Sequence, residues 1–292
     1  MELNDTVSKH FRKIDGKRDD EKFQIKNIDF IYLINLDRRP LRLEQSLAQL
    51  EPYQIRPHRV PGIDGWSLTQ EVFDDIAMIV EPLMEYDQGV QISFQPGNFP
   101  STPFANIAPG QRCLHSQAPG GGMGCTLTHL SILEDAYTSS FETIWIVEDD
   151  FTVNGNPHDL GDLICQLDEN AGADGWDVLY TDDDDYYAPQ NVRANSGSKY
   201  FLRPGFPMPE RLIERKAVGE NFFKIGGRTQ THSYLFRRSG MKKILESVKK
   251  NRLFFPIDTE LSCIEGLNRY NLKFDLVHGK DRKYTDTYCC VR

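Results

Sequence analysis

The sequence predicts an α/β fold: a mostly parallel, Rossmann-like sheet with helices on both faces. Three observations predict it. Apolar runs of strand length recur along the chain, segments with helical hydrophobic spacing separate them, and the clearest runs are apolar throughout, as a strand covered on both faces requires. The 292 residues, 39% hydrophobic and 26% charged, have an ordinary globular balance and enough length for a large core.

Residues 1–24 carry mixed charge, ending in Lys17-Arg18-Asp19-Asp20-Glu21-Lys22, and read as a loosely attached extension. Residues 25–292 read as one domain. Phe30-Ile31-Tyr32-Leu33-Ile34 is a buried strand that stops at the polar turn Asn35–Pro40. Leu43, Leu47 and Leu50 then mark a helix, with Pro40 suited to its first turn. A second strand runs from Gln54 to Val60, weakened by its prolines, and ends at the turn Gly62-Ile63-Asp64-Gly65. Prolines and glycines crowd residues 81–122, which read as an insertion at the rim of the domain. Leu127, Leu130 and Tyr137 mark the next helix, and Thr143–Val147 the next strand. Leu160, Leu163, Ile164 and Leu167 repeat the helical spacing, and Trp176–Tyr180 and Ser233–Phe236 read as strands. Ser239 reads as the N-cap of a helix bearing Met241, Ile244, Leu245 and Val248.

Composition excludes several classes. Lys and Arg number 34 against 43 Asp and Glu, a net charge of −9, so attraction to nucleic acid or anionic lipid is not expected. No apolar stretch approaches a bilayer span and the polar start has no signal-like core, so the expectation is a soluble, cytoplasmic protein without a transmembrane segment. The six cysteines form no CxxC pair and read as reduced thiols, with neither a zinc site nor a disulfide framework indicated.

Several residues carry candidate chemistry. The strand Thr143–Val147 runs straight into Glu148-Asp149-Asp150, and acids at the carboxyl end of a strand in an open α/β sheet lie where a hard cation binds. The plain alternative is a solvated loop. Arg38, Arg39 and Arg42, just past another strand end, offer guanidinium forks to phosphate oxygens or simply a solvated helix start. The glycines of Gly120-Gly121-Gly122-Met123-Gly124 precede Thr128 and His129 and offer backbone amides to an anion, without matching any phosphate-loop motif. His129 reads equally as a packed histidine. Asp182–Asp185 reads as a solvated tip. His278 reads as a surface histidine or a late ligand of an oxygen-rich metal site. Asp258 reads as a helix N-cap or, in a site, as a general base.

Taken together and in order, Ile34-Asn-Leu-Asp-Arg-Arg-Pro40, Gly62-Ile-Asp-Gly65, Gly124-Cys-Thr-Leu-Thr-His129, Val147-Glu-Asp-Asp150, Trp176-Asp-Val-Leu-Tyr180, Thr231-His-Ser-Tyr234 with Arg238-Ser-Gly240, and Pro256-Ile-Asp258 resemble glycosyltransferase family 25. That family includes lipooligosaccharide and collagen galactosyltransferases. The resemblance covers about residues 28–265. It implies a GT-A fold in which Glu148, Asp149 and Asp150 stand for the Asp-X-Asp motif and hold Mn²⁺ or Mg²⁺ on the diphosphate of a UDP-sugar donor. Asn35, Asp37, Arg38 and Asp64 then belong to the nucleotide side, and Thr128 and His129 are read beside them as cofactor-binding candidates. The chain departs from the family pattern at Met123 and Thr128 and in the long 81–122 insertion. The implied activity is an inverting transfer, from UDP-galactose to a hydroxyl of a glycan or protein acceptor, with Asp258 as base. Two other readings stand beside it: a non-catalytic sugar-nucleotide or glycan-binding protein on the same fold, and a metal-dependent phosphohydrolase.

Overall fold

Alternating strands and helices stack into a helix–sheet–helix sandwich. The structure, a computed structural model, describes residues 5–16, 25–86, 90–93, 102–116, 118, 120–183, 203–206 and 209–279. The principal elements in chain order are β1 (Phe30–Asn35), α1 (Pro40–Leu50), β2 (His58–Pro61), α2 (Gln70–Ile76), β3 (Met78–Ile79), β4 (Gln91–Ser93), β5 (Thr102–Pro103), β6 (Arg112–His115), α3 (Gly120–Thr138), β7 (Thr143–Glu148), β8 (Phe151–Val153), α4 (Leu160–Ala171), β9 (Val178–Tyr180), β10 (Arg215–Val218), β11 (Phe222–Ile225), β12 (Ser233–Arg237), α5 (Arg238–Asn251), α6 (Ile257–Ser262), β13 (Arg269–Leu272) and β14 (Val277–Gly279).

The central sheet has the order β10-β11-β13-β9-β12-β7-β1-β2. Its pairings are parallel across β2-β1-β7 and between β9 and β13. They are antiparallel where β12 enters between β7 and β9 and where β10 and β11 extend the far edge. The predicted α/β class and two-sided helical cover are both present, on a sheet of mixed direction.

Side chains alternate between two cores. Tyr32, Ile34, Ile144, Ile146, Tyr234 and Phe236 meet Leu127 and Leu130 of α3 and Met241 and Ile244 of α5 on one face. Ile31, Leu33, Trp145, Val147 and Leu235 meet Leu50 of α1 and Leu160, Leu163 and Ile164 of α4 on the other. Each fully buried aliphatic or aromatic side chain contributes about 1.5–3 kcal/mol, and cover on both faces is why β1 is apolar from Phe30 to Ile34 and β7 from Ile144 to Val147. Among the described residues, no helix is long and apolar enough to cross a membrane.

Several boundaries and contacts differ from the sequence expectation. Residues 5–16 are not loosely attached: Val7 and Ile14 are buried in the first core. The Thr6 hydroxyl donates to the Asp75 carbonyl (2.6 Å), and the Arg12 guanidinium donates to that of Pro61 (2.7 Å). Val7, Phe11 and Ile14 are spaced i, i+4 and i+7, but three apolar residues scattered among charges are too few to separate a docked segment from a loose one. The mixed-charge stretch 17–24 lies outside the described residues. β2 begins only at His58, after Pro57, and β9 begins at Val178. The described parts of 81–122 supply β4, β5 and β6, which join β3, just before that segment, in a small antiparallel sheet, β3-β6-β4-β5, over a core shared with Phe254 and Phe255. Pro40 does open α1. Ser239 does not cap α5, whose N-cap is Arg237. Its hydroxyl instead donates to wholly buried Asp177 (2.7 Å), which also accepts from Lys243 (2.6 Å).

Gly120 and Gly124, the ends of the glycine run, are explained first by packing. A Cβ on Gly124 would stand 2.3 Å from the Gly65 nitrogen and 2.4 Å from the Ile63 oxygen, and one on Gly65 would stand 1.7 Å from the Gly120 oxygen. No side chain fits there, so backbone meets backbone, and the turn carrying Asp64 is pressed onto the start of α3.

Candidate active site

The site follows from register. β1 and β7 are parallel neighbours with Ile34 opposite Glu148, so their carboxyl ends deliver Asn35 and the Glu148-Asp149-Asp150 triplet to one crevice. Arg38, Arg42, Asp64 and Cys125 line the same crevice. β12, antiparallel beside β7, begins one residue after His232, whose carbonyl accepts from the Glu148 backbone N–H (2.8 Å).

The three acids divide. Glu148 Oε1 accepts from the Thr231 hydroxyl (2.6 Å) and lies 3.1 Å from His129 Nε2. Asp150 Oδ1 lies 2.8 Å from His232 Nδ1. Asp149 turns the other way: it accepts from Asn35 Nδ2 (2.7 Å), and its backbone carbonyl accepts from Ser46 of α1 (3.0 Å). Among the described residues, two groups of three have ligand atoms within 4.8 Å of one another and could hold a cation: Glu148 with Asp150 and His232, and Cys125 with His129 and Glu148.

Proton affinities respond to this crowding. Burial alone would raise the Glu148 carboxyl, but the hydrogen bond from His129, the charges of His129 and His232 and the Thr231 hydroxyl outweigh it, leaving the group below its usual value. Burial pushes Asp149 up to about 6 against the Asn35 hydrogen bond. Burial opposes the charging of His232, yet the Asp150 hydrogen bond and the charges of Asp150, Glu148 and Asp182 carry it to about 9. Burial, followed by the nearby acids led by Glu148, holds the Cys125 thiol well above its usual value.

Of the residues singled out in sequence, Asn35, Arg38, Asp64, Thr128, Glu148, Asp149 and Asp150 all line the crevice. Arg38 is ion-paired to Asp64, which also caps the turn by accepting from Trp66 N (3.2 Å). Thr128 is buried, accepts from Ile63 N (2.8 Å) and donates to the Gly124 carbonyl, so its hydroxyl ties the Asp64 turn to α3. Asp37 is largely exposed, pairs with Arg59 and does not line the crevice. His129 is fully buried between Glu148 and the Tyr234 hydroxyl (2.6 Å).

Asp258 is not an N-cap: Pro256 holds that position. Asp258 instead accepts from the backbone N–H of Gln230 (3.0 Å) and Thr259 (2.7 Å), tying α6 to the loop that carries Thr231 and His232. Burial raises its carboxyl despite these hydrogen bonds. Asp182 is not a solvated tip either. It is buried and paired to Arg228, whose guanidinium lies 4.2 Å from the centre of the Tyr180 ring. Asp183 pairs with Arg215, while Asp184 and Asp185 lie outside the described residues.

His278 sits on β14 opposite Thr152 of β8 and belongs to neither donor group. Its neighbour Gly279 approaches the site instead: a Cβ there would stand 2.0 Å from His232 Cδ2. Gly279→Ala should therefore push the ring off Asp150, and if the Glu148–Asp150–His232 group holds a divalent cation, Mn²⁺ should bind about tenfold or more weakly, the scale of lost ligand support. Calorimetric titration with Mn²⁺ measures it. Unchanged affinity would show that the ring position does not matter.

The residues missed in sequence are His232 and Thr231. They were visible as part of Thr231-His-Ser-Tyr234, immediately before a strand, but nothing local says which strand is its neighbour.

A family model described as glycosyltransferase family 25 (LPS biosynthesis protein) matches residues 28–261. A mosquito protein, "Glycosyltransferase 25 family member" from Aedes aegypti, is 23% identical over 79% of this chain and 30% of its own length. A human protein, "Inactive glycosyltransferase 25 family member 3", is 26% identical over 52% of this chain and 21% of its own length. The chain thus spans less than a third of the length of either relative. With the family match running from the strand that delivers Asn35 through the helix that carries Asp258, the chain belongs to glycosyltransferase family 25.

Proposed function

We propose that the chain is a metal-dependent, inverting glycosyltransferase that moves galactose from UDP-galactose to a hydroxyl of a glycan or protein acceptor. The observation that carries the reading is the grouping of Glu148, Asp150 and His232 beside a crevice lined by Arg38 and Arg42. Two carboxylates and an imidazole fit a divalent cation, and the nitrogen donor favours Mn²⁺ over the more strictly oxygen-seeking Mg²⁺. The galactose donor follows from the resemblance to galactosyltransferases.

A cation held there would offset the charge that builds on the departing UDP. Arg38 and Arg42 offer guanidinium donors to the phosphate oxygens. Asn35 holds Asp149 against α1, so Glu148 and Asp150 alone of the triplet face the His232 side. Asp258 takes the proton of the acceptor hydroxyl as that oxygen bonds to the anomeric carbon and the bond to the diphosphate breaks. A carboxyl raised by burial is a stronger base than an exposed one. A single displacement inverts the configuration and needs no enzyme nucleophile.

UDP should bind tightly only with a divalent cation present, because two carboxylates facing a diphosphate repel it. Calorimetry with Mn²⁺ and with EDTA tests this, and equal affinity would remove the metal from the reading. A second reading, a sugar-nucleotide-binding protein without turnover, is favoured by one observation, the relative named inactive. Release of UDP from UDP-galactose in the presence of hydroxyl acceptors separates the two. A phosphohydrolase would release product without any acceptor.

A further inference from the structure

Cys125, His129 and Glu148 form a second donor group that the transferase reading does not use as a unit. Cys125 and His129 are four residues apart on α3 and so lie on one helix face, and Glu148 reaches that face from the end of β7. Glu148 Oε1 is 3.1 Å from His129 Nε2 and 4.0 Å from Cys125 Sγ. A tetrahedral cation with bonds of about 2.0–2.3 Å needs donor-to-donor edges of roughly 3.4–3.6 Å, a value those two distances bracket. The remaining nitrogen of His129 is held by the Tyr234 hydroxyl at 2.6 Å, the outer hydrogen bond that fixes the ring of a metal-ligating histidine. Because His129 is completely buried, packing sets its aim. Cys125 lines the crevice, which supplies an entry path and leaves a coordination position for water.

We propose that Cys125, His129 and Glu148 form a site for a thiophilic divalent cation, Zn²⁺, which shares Glu148 with the neighbouring Glu148–Asp150–His232 group. A thiolate, an imidazole and one carboxylate make a softer donor set than two carboxylates and an imidazole, so this group selects Zn²⁺ where the other suits Mn²⁺. Binding releases the Sγ proton to solvent. One carboxylate serves both groups, so Zn²⁺ here withdraws a ligand from the other. The inference stands on the donor geometry and does not require the chain to turn over a sugar nucleotide.

Cd²⁺, which replaces Zn²⁺ and reports thiolate ligation through an ultraviolet charge-transfer band, provides the test on the full chain. The band should fall by one equivalent in Cys125→Ser and be unchanged in Cys165→Ser at the equivalent that Zn²⁺ displaces, Cys165 being a half-buried thiol on α4 across the sheet. Glu148→Gln keeps the size of the ligand and removes its charge, and should weaken the Zn²⁺-displaceable binding by about tenfold or more. An undiminished band in Cys125→Ser overturns the proposal. If that variant does not fold by circular dichroism, unchanged Cd²⁺ affinity in Glu148→Gln overturns it equally.

Discussion

Asp150→Ala should retain the fold and lose transfer by at least ~100-fold, the scale on which removal of one charge-stabilising group slows a reaction. Asp150 is buried and its side chain meets His232 at 2.8 Å, so the substitution removes one carboxylate of the proposed cation group and the hydrogen-bond partner that positions the His232 ring. The β7 ladder above it is held by backbone pairing to β1 and β12 and by two apolar cores, none of which involves the carboxylate. Asp150→Asn keeps volume and a hydrogen-bonding oxygen, and should lose the rate equally while disturbing packing less. UDP release from UDP-galactose, compared with the circular dichroism of both variants, measures the effect. A folded Asp150→Asn chain with wild-type turnover would remove Asp150 from the machinery.

The layered fold was legible because burial on both sides of a sheet leaves an unmistakable mark: β1 is apolar from Phe30 to Ile34 and β7 from Ile144 to Val147, and the helices between strands keep their spacing. Strand direction left no such mark. The run Ser233–Phe236 reads as a strand whichever way it points, yet only its antiparallel entry beside β7 sets His232 against Asp150, 82 residues earlier in the chain. That is why the local pattern offers His278, which also follows an apolar stretch, as a candidate ligand and is silent on His232; His278 in fact pairs with Thr152 of β8. The triplet was legible as a position at a strand end, while its division was not. Glu148 ends β7 while Asp149 and Asp150 form the turn into β8, so the turn, which no local pattern specifies, sets Glu148 and Asp150 on the Thr231–His232 side and Asp149 toward Asn35. The glycine run suggested an anion cradle because glycine is equally the signature of backbone packed on backbone, and the partner, Gly65, lies far away in sequence. The second donor group escaped for a related reason: Cys125 and His129 share a helix, but Glu148 completes them only through the fold.

Asp258→Asn should keep UDP affinity and slow transfer by roughly 10²–10⁴, the usual contribution of a general base. Asparagine reproduces the outline and one side-chain oxygen, so it still accepts from Gln230 N or Thr259 N and the loop leading to His232 stays close to its place. What it cannot do is take a proton. The substitution therefore separates the two things this carboxylate can do. A residue that only ties α6 to the 230–232 loop would give a variant with altered stability and nearly normal turnover, because hydrogen bonding survives and proton transfer was never asked of it. A base would give a stable variant that binds UDP and does not turn over. The pH dependence adds a signature that a structural role lacks. With the Asp258 carboxyl raised by burial, the wild-type rate should fall as the pH drops through that raised value and the base becomes protonated, whereas the residual rate of Asp258→Asn should lack this limb. Measuring kcat and UDP affinity across pH for both proteins decides it. Wild-type kcat in Asp258→Asn would require another group to accept the proton, and buried Asp182, held by Arg228 and close enough to His232 to influence its charge, is the next residue to substitute.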